Sequence, residues 1–538
     1  MLYLLKNKEN APSALIFGAL FSVINLTGKY LENNIVIETR QYIYIVLNAI
    51  VLTFVIGELY LRIQQWYRKR GINDKKECIY FTVNDRKYYW ICVLLLCLAY
   101  LPVYLAYYPG LFAYDVDTQI PQFFIGYSKH HNLIHTLYLH FFYYFIGGKV
   151  LQSYTAGIAW ASVVQMIFFS MMVSYIHLFL RRIQTNFKIR AILIGLSAIL
   201  PYFSVLSVSM TKDVFFTGFV GVVSVCLYYW EMDTKYYQKK SNQIVYILAI
   251  VGTILFRNNG IYAILLSAFT GIICIGIKNK NFRYIGCTLT GILISLVISA
   301  GLEAALSAKD GSKNEMFSIP YQQLAHVYHT EYDNLNQEEK NEIIELIPDV
   351  EKYKPHISDP IKANAIGAYN KKQLLTCYIK LFFKYPMEYA EAFLLNNLGY
   401  LYVGDTTHAE IYGADLQERS GYLLTDTKAG FEVEHTTYFR GLEGLYETLF
   451  SGNEYQNIYA LAFLCSPATY FWMVVLLFFY AVDLRRICWI QFSFVFGLII
   501  TVLAGPCCLI RYAFPYIICL PSLGATVLGG ATVIKEEA

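Results

Sequence analysis

Residues 88–107 read YYWICVLLLCLAYLPVYLAY, an apolar run without a charged side chain. A helix of about 20 residues rises about 30 Å, which matches the hydrocarbon core of a bilayer. Similar runs recur along the 538-residue chain, of which 56% is hydrophobic and only 15% charged. The sequence therefore predicts an α-helical polytopic membrane protein, and it excludes the disordered, fibrous and disulfide-scaffold classes.

Apolar runs of nearly membrane-spanning length predict about twelve transmembrane helices. The predicted spans are 12–28, 41–61, 88–107, 155–180, 191–209, 214–230, 243–256, 260–277, 283–306, 457–482, 488–505 and 511–534.

The short segments that connect these runs divide into basic and non-basic ones, which indicates orientation. Lys and Arg cluster within 62–87, 181–190, 235–240, 278–283 and 485–486. Short basic loops stay in the cytoplasm. Placing every cluster there leaves both termini cytoplasmic, provided that the apolar stretch 133–148 does not cross. We therefore expect 133–148, which ends at Gly147 and Gly148, to be an interfacial or half-inserted helix on the outer face.

This orientation divides the chain into three parts: a membrane body, 1–306, with a first outer loop at 108–154; an extracytoplasmic insert, 307–456; and C-terminal transmembrane helices, 457–538. The insert carries 23 acidic and 13 basic residues, whereas the rest of the chain is basic. Its patterning predicts helices at 336–347 and 373–402 and loops between 404 and 430. No basic stripe of phosphate-binding density occurs, which argues against a nucleic-acid partner.

The first outer loop places two acids directly after a predicted span, in YPGLFAYDVDTQIP at 108–121. A carboxylate at a membrane boundary is costly to desolvate, so its presence there indicates function. An extended backbone puts Asp115 and Asp117 on one face, which suits a shared metal ion. A helical backbone instead puts Asp115 beside Gln119, which suits a single working carboxylate. The sequence leaves both alternatives open.

Two histidines, His130 and His131, follow at the start of the expected interfacial helix. A histidine here can donate to a phosphate, ligate a metal, or form a polar helix start near lipid headgroups. Neither Glu nor Cys completes a local ligand set.

Three further outer turns each carry a cation on the side where such residues are under-used. Arg offers bidentate contact to phosphate and Lys a point charge, so converging turns would hold a lipid phosphate. The turns are Thr211-Lys212-Asp213, Arg257-Asn258-Asn259-Gly260 and Arg511-Tyr512.

These motifs together resemble the GT-C superfamily of polytopic glycosyltransferases, which use polyprenyl-phosphate-linked sugars on the outer side of the membrane. More narrowly, the YPG, D…Q, TKD, RNNG and RY elements are similar to an uncharacterised bacterial multipass family near that superfamily. The resemblance covers most of the membrane body and implies a bacterial cell membrane. The His-Pro-Pro-Leu-like element of several relatives corresponds here to His130-His131-Asn132-Leu133, without the prolines.

The resemblance implies an inverting transfer of sugar from a polyprenyl-phosphate donor to an extracytoplasmic glycan, lipid or protein. Asp115 would be the catalytic base, assisted by Asp117, and the two could share a divalent cation such as Mg²⁺ or Mn²⁺. The donor phosphate would be held by Lys212, Arg257, Arg511 and His131. Supporting roles fall to Gln119, His130, Asp213, Asn258, Asn259 and Tyr512.

Two other functions fit the same residues. A transporter or flippase of a lipid-linked glycan would also carry isolated intramembrane charges, although it would usually show paired discontinuous helices in two repeated halves. A polysaccharide polymerase or ligase would also have a large outer loop.

Overall fold

We analysed a computed structural model of the chain. It describes residues 4, 9–34, 36–70, 84–111, 115–233, 235–277, 282–405, 433–451 and 454–528.

Within these ranges the chain is helical, and the only β-structure consists of isolated bridges. Among the described residues, eleven α-helices of at least seven residues precede the insert. They are α1 (Ala11–Asn33), α2 (Thr39–Arg70), α3 (Asp85–Ala106), α4 (Leu133–His140), α5 (Tyr154–Arg182), α6 (Phe187–Ile199), α7 (Pro201–Val208), α8 (Lys212–Met232), α9 (Lys240–Phe256), α10 (Gly260–Gly271) and α11 (Arg283–Ala305).

Ten more such helices follow among the described residues. They are α12 (Ser318–Thr330), α13 (Gln337–Leu346), α14 (Lys371–Lys384), α15 (Pro386–Asn396), α16 (Arg440–Tyr446), α17 (Tyr459–Cys465), α18 (Pro467–Asp483), α19 (Trp489–Leu503), α20 (Ile510–Ile517) and α21 (Leu520–Leu528).

Eight helical segments of the described chain are long and apolar enough to cross a membrane, and two bent pairs raise the number to ten. The eight are α1, α2, α3, α5, α8, α10 with its π-helical continuation, α11, and α20 joined to α21. The protein is therefore a multipass helical membrane protein. The predicted spans 243–256 and 488–505 coincide with α9 and α19, which are shorter apolar helices, so the count of twelve stays a prediction.

The two bent pairs are α6–α7 and α17–α18, which turn by 52° and 66°. Each second helix begins with a proline, Pro201 or Pro467, which has no N–H to continue the preceding helix. The predicted spans 191–209 and 457–482 are thus broken rather than straight. The breaks meet inside the protein, where the hydroxyls of Tyr202 and Tyr470 form a hydrogen bond.

Helix α8 lies at the centre of the membrane body. Its apolar window is 94% buried, against 22% for the window of α2, which faces outward along most of its length. Glycines on α8 permit close packing: a Cβ at Gly221 would lie 2.8 Å from the Ile176 side chain of α5. The first turn of this buried helix carries Lys212 and Asp213.

The insert has a hydrophobic core of its own, formed by α12–α15 and the segments between them. The predicted helix at 336–347 is confirmed by α13, where Asn336 and Glu339 form a reciprocal capping box. The predicted continuous helix 373–402 is wrong. It is divided into α14, α15 and a short helix Leu398–Leu401, because Pro386 cannot continue α14.

The later part of the predicted insert packs on the membrane body rather than on the insert core. Tyr400, Tyr446 and Tyr455 all belong to the main hydrophobic cluster. Most of the predicted loop region 404–430 lies outside the described residues. The expected interfacial helix at 133–148 comprises α4 and a π-helix, Phe141–Leu151, which continues past Gly147 and Gly148.

The insert region is joined to the membrane body by backbone hydrogen bonds at three separate places, all at one end of the helical bundle. Each bond reaches a segment between membrane-body helices. The bonds run from Lys129 N to Lys309 O (2.8 Å), from Ser358 N to Pro506 O (2.9 Å) and from Thr436 N to Tyr108 O (3.0 Å).

Candidate functional site

Asp115 lies at the start of a short helix, Val116–Gln119, that follows α3. The backbone N–H of Gln119 donates to the backbone carbonyl of Asp115 at 3.0 Å, so the backbone here is helical. Of the two alternatives left open by the sequence, the helical one is therefore present. Upstream, Leu111 is bonded in both directions to the segment 208–210, which precedes α8. This pairing brings the Asp115 loop to the first turn of α8.

A compact ionic group forms where these two segments meet. The Lys212 ammonium donates to the Asp115 carboxylate at 2.6 Å and lies 3.3 Å from Nδ1 of His131. His131 Nδ1 is in turn 3.7 Å from the same carboxylate oxygen. Three of the predicted site residues, from three separate segments, are thus in mutual contact.

The position of Lys212 explains why an acid lies beside it. Lys212 is in the first turn of α8, where the helix dipole disfavours a positive charge. The Asp115 carboxylate compensates for this, and both side chains are largely buried. The next residue, Asp213, also occupies the first turn and is favoured there by the same dipole.

The charges of this group shift two pKa values strongly. Burial acts to raise the pKa of the Asp115 carboxyl, but Lys212, Arg511 and His131 outweigh it, so that pKa lies well below its usual range. Burial and the Lys212 charge lower the pKa of His131 to about 4. At neutral pH, Asp115 is therefore a carboxylate and His131 a neutral imidazole.

A second ionic group surrounds Asp213, whose side chain is only 4% exposed. Arg257 donates to one Asp213 oxygen at 2.6 Å, and Arg511 Nη1 lies 4.0 Å from the other. Thr211, which caps α8, also donates to Asp213 at 3.4 Å. Two predicted phosphate-binding arginines therefore share a single carboxylate.

Tyr512 completes this second group. The Arg257 guanidinium lies 4.4 Å and the Arg511 guanidinium 5.1 Å from the centre of its ring. Cation–π contacts of this kind fix the planes of both guanidinium groups. A small pocket opens beside them. It is lined by Phe216, Arg257, Asn259, Leu498, Thr501, Val502, Tyr512 and Pro515.

The two ionic groups belong to one site. Arg511 is close enough to Asp115 and His131 to lower the pKa of each. Asn132, next to His131, donates to Asn258 at 2.8 Å, which joins the histidine segment to the Arg257 turn. All the segments that carry a predicted site residue therefore meet at one end of the bundle.

The remaining predicted residues take more distant positions. Gln119 is buried: its side-chain amide donates to Thr136 and accepts from His135 Nδ1, both at 3.0 Å, so it supports the short helix rather than orienting Asp115. His130 is exposed, with its ring packed edge-on against His131. Asn259 lines the pocket beside Arg257. The side chain of Asp117 is not among those that the structure describes.

Two contributors were missed by the sequence reasoning. Thr118 Oγ1 lies 2.8 Å from His131 Nε2 and also donates to the Asp115 carbonyl, so it connects the acid and the histidine. Asn132 provides the bond to Asn258. Thr118 had one available signal, since it lies between two residues already singled out, Asp117 and Gln119.

The predicted metal site gains no support from side-chain grouping. Among the described side chains, no group of three or more His, Cys, Asp or Glu residues could hold a metal ion. The one described carboxylate of the proposed pair, Asp115, instead contacts an ammonium group.

Fold and site together define a multipass helical membrane protein with a largely buried cluster of two acids, three cations and a histidine at one end of its bundle. Residues 125–531 match the family of unknown function DUF6020, and the chain belongs to this family. His131, Lys212, Arg257 and Arg511 fall within the match, whereas Asp115 precedes it. Neither the curated proteins nor the solved structures include a match to the chain.

Proposed function

We propose that the protein is a GT-C-type glycosyltransferase that moves a sugar from a polyprenyl-phosphate donor to an extracytoplasmic glycan, lipid or protein. The observation that carries the proposal is the convergence of Asp115, His131, Lys212, Arg257 and Arg511 in one cluster. Such a transfer needs a base for the acceptor hydroxyl and cations for the departing phosphate.

Lys212 is the proposed switch between the resting and the working site. In the absence of donor, its ammonium neutralises Asp115 and makes that carboxylate a weak base. A donor phosphate competes for the Lys212 protons, and Arg257 and Arg511 supply further positive charge beside it. As Lys212 turns to the phosphate, Asp115 regains basicity toward an acceptor hydroxyl.

The transfer itself is a single displacement at the anomeric carbon. The acceptor oxygen forms a bond to that carbon while the bond to the phosphate oxygen breaks, which inverts the configuration. The acceptor proton passes to Asp115, and the lipid phosphate leaves as an anion held by the cations. Once Lys212 has left His131 Nδ1, the neutral imidazole carries its proton on that nitrogen and donates it to the phosphate, while the Thr118 hydroxyl donates to Nε2. The proposal also includes a divalent cation bound by Asp115 and Asp117, but none of the steps above requires it.

The apolar wall of the pocket beside Arg257 suits a lipid-linked donor. Leu498 and Val502 of α19 line it together with Arg257. A phosphate at Arg257 would therefore have its prenyl chain against hydrocarbon side chains.

The test is transfer by the purified protein in liposomes supplied with a panel of polyprenyl-phosphate sugars and with cell-envelope extract as acceptor. We expect Asp115→Asn to reduce transfer by about 10² to 10⁴, the usual contribution of a general base. Glu434→Gln, an exposed acid on the same side, is the matched control and should retain full transfer. Undiminished transfer in Asp115→Asn would contradict the assignment of the base.

A transporter of lipid-linked glycans is the second candidate, because the structure has two broken helices whose breaks touch at Tyr202 and Tyr470. Discontinuous helices in pairs are typical of secondary transporters. Liposomes distinguish the two functions: a transporter would move the donor between leaflets without forming a glycosidic product.

The proposal also assigns sides: the site and the insert outside, and both termini in the cytoplasm. A membrane-impermeant label applied to intact cells should reach a cysteine placed at Glu338 and should not reach one placed at Arg485. Both positions are exposed, so accessibility of the side chain itself is matched. Labelling at position 485 but not at position 338 would show that the protein has the opposite orientation in the membrane.

A further inference from the structure

Helix α14 of the insert has an apolar stripe that faces away from the protein. Leu375, Ile379, Phe382 and Phe383 follow one another at spacings of four, three and one, which places them on one side of a helix. The exposed fractions of Leu375 and Phe383 are 59% and 79%, and Ile379 and Phe382 are also exposed. Met387, at the start of α15, is exposed beside them.

The opposite side of α14 already serves as core. Leu374, Cys377 and Leu381 are buried in the hydrophobic cluster of the insert. The helix is therefore apolar on two faces, and only one of them is covered by the protein. An exposed cluster of large apolar side chains on an otherwise acidic domain indicates an interaction surface.

The charges of α14 favour a membrane surface as the partner. The helix has no acidic residue, although the insert as a whole has an excess of acids. Its polar positions include four lysines, Lys371, Lys372, Lys380 and Lys384, of which the last two also pair with Glu339. Lysines beside a stripe of Leu and Phe are typical of helices that lie in the interfacial plane of a bilayer.

The position of α14 in the fold points the same way. Its neighbour α15 bonds to the hairpin between α1 and α2, where Glu391 accepts from the Ile37 amide at 3.2 Å and from the Tyr42 hydroxyl. The outward-facing apolar surface of α2 begins directly after this contact, at Ile43. The Tyr389 hydroxyl of α15 donates to the Tyr378 carbonyl of α14 at 2.9 Å. Helix α14 is therefore linked through α15 to the end of the bundle at which α1 and α2 are connected.

We propose that α14 is an interfacial helix that rests on the bilayer leaflet at the site's end of the bundle. Leu375, Ile379, Phe382 and Phe383 insert between the lipid headgroups, and Lys371 and Lys372, at the start of the helix, contact headgroup phosphates. A second protein chain is the less suited occupant, because α15, which is bonded to α14, also contacts the end of α2 at which its outward-facing apolar surface begins. The insert then contacts the lipid bilayer as well as the membrane body. This inference depends on the membrane character of the protein and not on the proposed transfer.

The experiment measures where the stripe lies in lipid nanodiscs with the full-length protein. A nitroxide is attached through an encoded non-canonical residue, one position at a time, at Ile379 and at Phe383. The collision rates of the label with oxygen, which concentrates in lipid, and with a water-soluble nickel chelate are then compared. Ile50 of α2 serves as the lipid reference and Glu338 of α13 as the aqueous reference, since both are exposed on the protein.

We expect the oxygen-to-nickel ratio at Ile379 and Phe383 to exceed the ratio at Glu338 by several-fold and to approach that at Ile50. A ratio equal to that at Glu338 would overturn the proposal. Low collision rates with both reagents would also overturn it, since they would mean that another protein covers the stripe. Phe383→Asp should raise the nickel collision rate of a label at Ile379 several-fold, because a carboxylate resists insertion.

Discussion

Asp213 shows how single residues hold the site together. It is nearly fully buried, its carboxylate contacts Arg257, and it lies near Arg511. Buried ion pairs are weak evidence for stability when taken whole, but removal of one partner leaves an uncompensated charge. The acid therefore fixes cations whose proposed task is to bind an incoming anion.

We expect Asp213→Asn to lower the free energy of unfolding by about 3 kcal/mol, the typical effect of removing one member of a buried pair. Thermal unfolding in a mild detergent measures the loss. The double variant Asp213→Asn with Arg257→Gln should recover part of the stability, because the unpaired cation is gone as well. Losses that simply add in the double variant would contradict this coupling.

His131 provides a direct measure of the field in the site. Its pKa is about 4 instead of 6.5, because burial and Lys212 disfavour the imidazolium. A depressed histidine pKa means that the unfolded chain takes up this proton first as the pH falls. The contribution of His131 to stability is therefore present above pH 6.5 and is lost between pH 6.5 and about 4.

Titration of labelled histidine by NMR, assigned with His131→Gln, should place the His131 pKa near 4. In Lys212→Met the pKa should rise, since a charge that lowers it has been removed. A His131 pKa near 6.5 in the unmodified protein would mean that the imidazole is neither buried nor close to Lys212.

At the scale of helices, the apolar runs predicted the position of the helices well and their continuity poorly. Spans 12–28, 41–61 and 88–107 all correspond to long helices, since length and hydrophobicity decide that outcome. The helices break before Pro201, Pro386 and Pro467. These prolines are visible in the sequence, yet the apolar or amphipathic runs that contain them predicted continuous helices. A proline can be accommodated inside a membrane helix, as Pro102 is in α3, so the residue alone does not locate a break.

The start of α13 could be predicted from the sequence, because Asn336 and Glu339 have the spacing of a capping box. Asn336 accepts from the Glu339 amide at 2.9 Å, and the Glu339 carboxylate accepts from the Asn336 amide at 3.1 Å. We expect Asn336→Ala to destabilise the insert by about 1 kcal/mol. The loss appears as faster amide exchange across α13 by mass spectrometry. Asn341→Ala, inside the same helix and exposed, is the control and should not accelerate the exchange, because alanine is favoured in a helix interior.

At the scale of the whole molecule, the insert region supports the site. Each of its three backbone contacts reaches a segment shortly before a site residue: residue 108 before Asp115, residue 129 before His131, and residue 506 before Arg511. These distant pairings could not be predicted, because nothing local in either partner specifies the other. The predicted site residues were found because turns at the same end of a helical bundle have limited room to separate.

Tyr400 tests this support. Its hydroxyl accepts from the Leu509 amide at 2.9 Å and lies within hydrogen-bonding distance of the Cys507 and Leu509 carbonyls. We expect Tyr400→Phe to accelerate amide exchange in residues 505–511 roughly fivefold, which corresponds to about 1 kcal/mol for the lost bonds.

Tyr402→Phe, whose ring lies against Gly28 of α1, is the matched control and should leave that exchange unchanged. Under the proposed function, Tyr400→Phe should also weaken donor use through Arg511. Unaltered exchange at 505–511 in Tyr400→Phe would show that the Tyr400 hydroxyl does not hold this segment.

The burial of α8 has a consequence for the lipid environment of the protein. A helix that faces lipid can tilt when the hydrocarbon layer becomes thicker or thinner. Helix α8 is enclosed by other helices, so a change in acyl-chain length would act on its neighbours and reach Lys212 and Asp213 only indirectly. The geometry around these two residues should therefore stay constant across membranes of different thickness, and adaptation should fall to outward-facing helices such as α2.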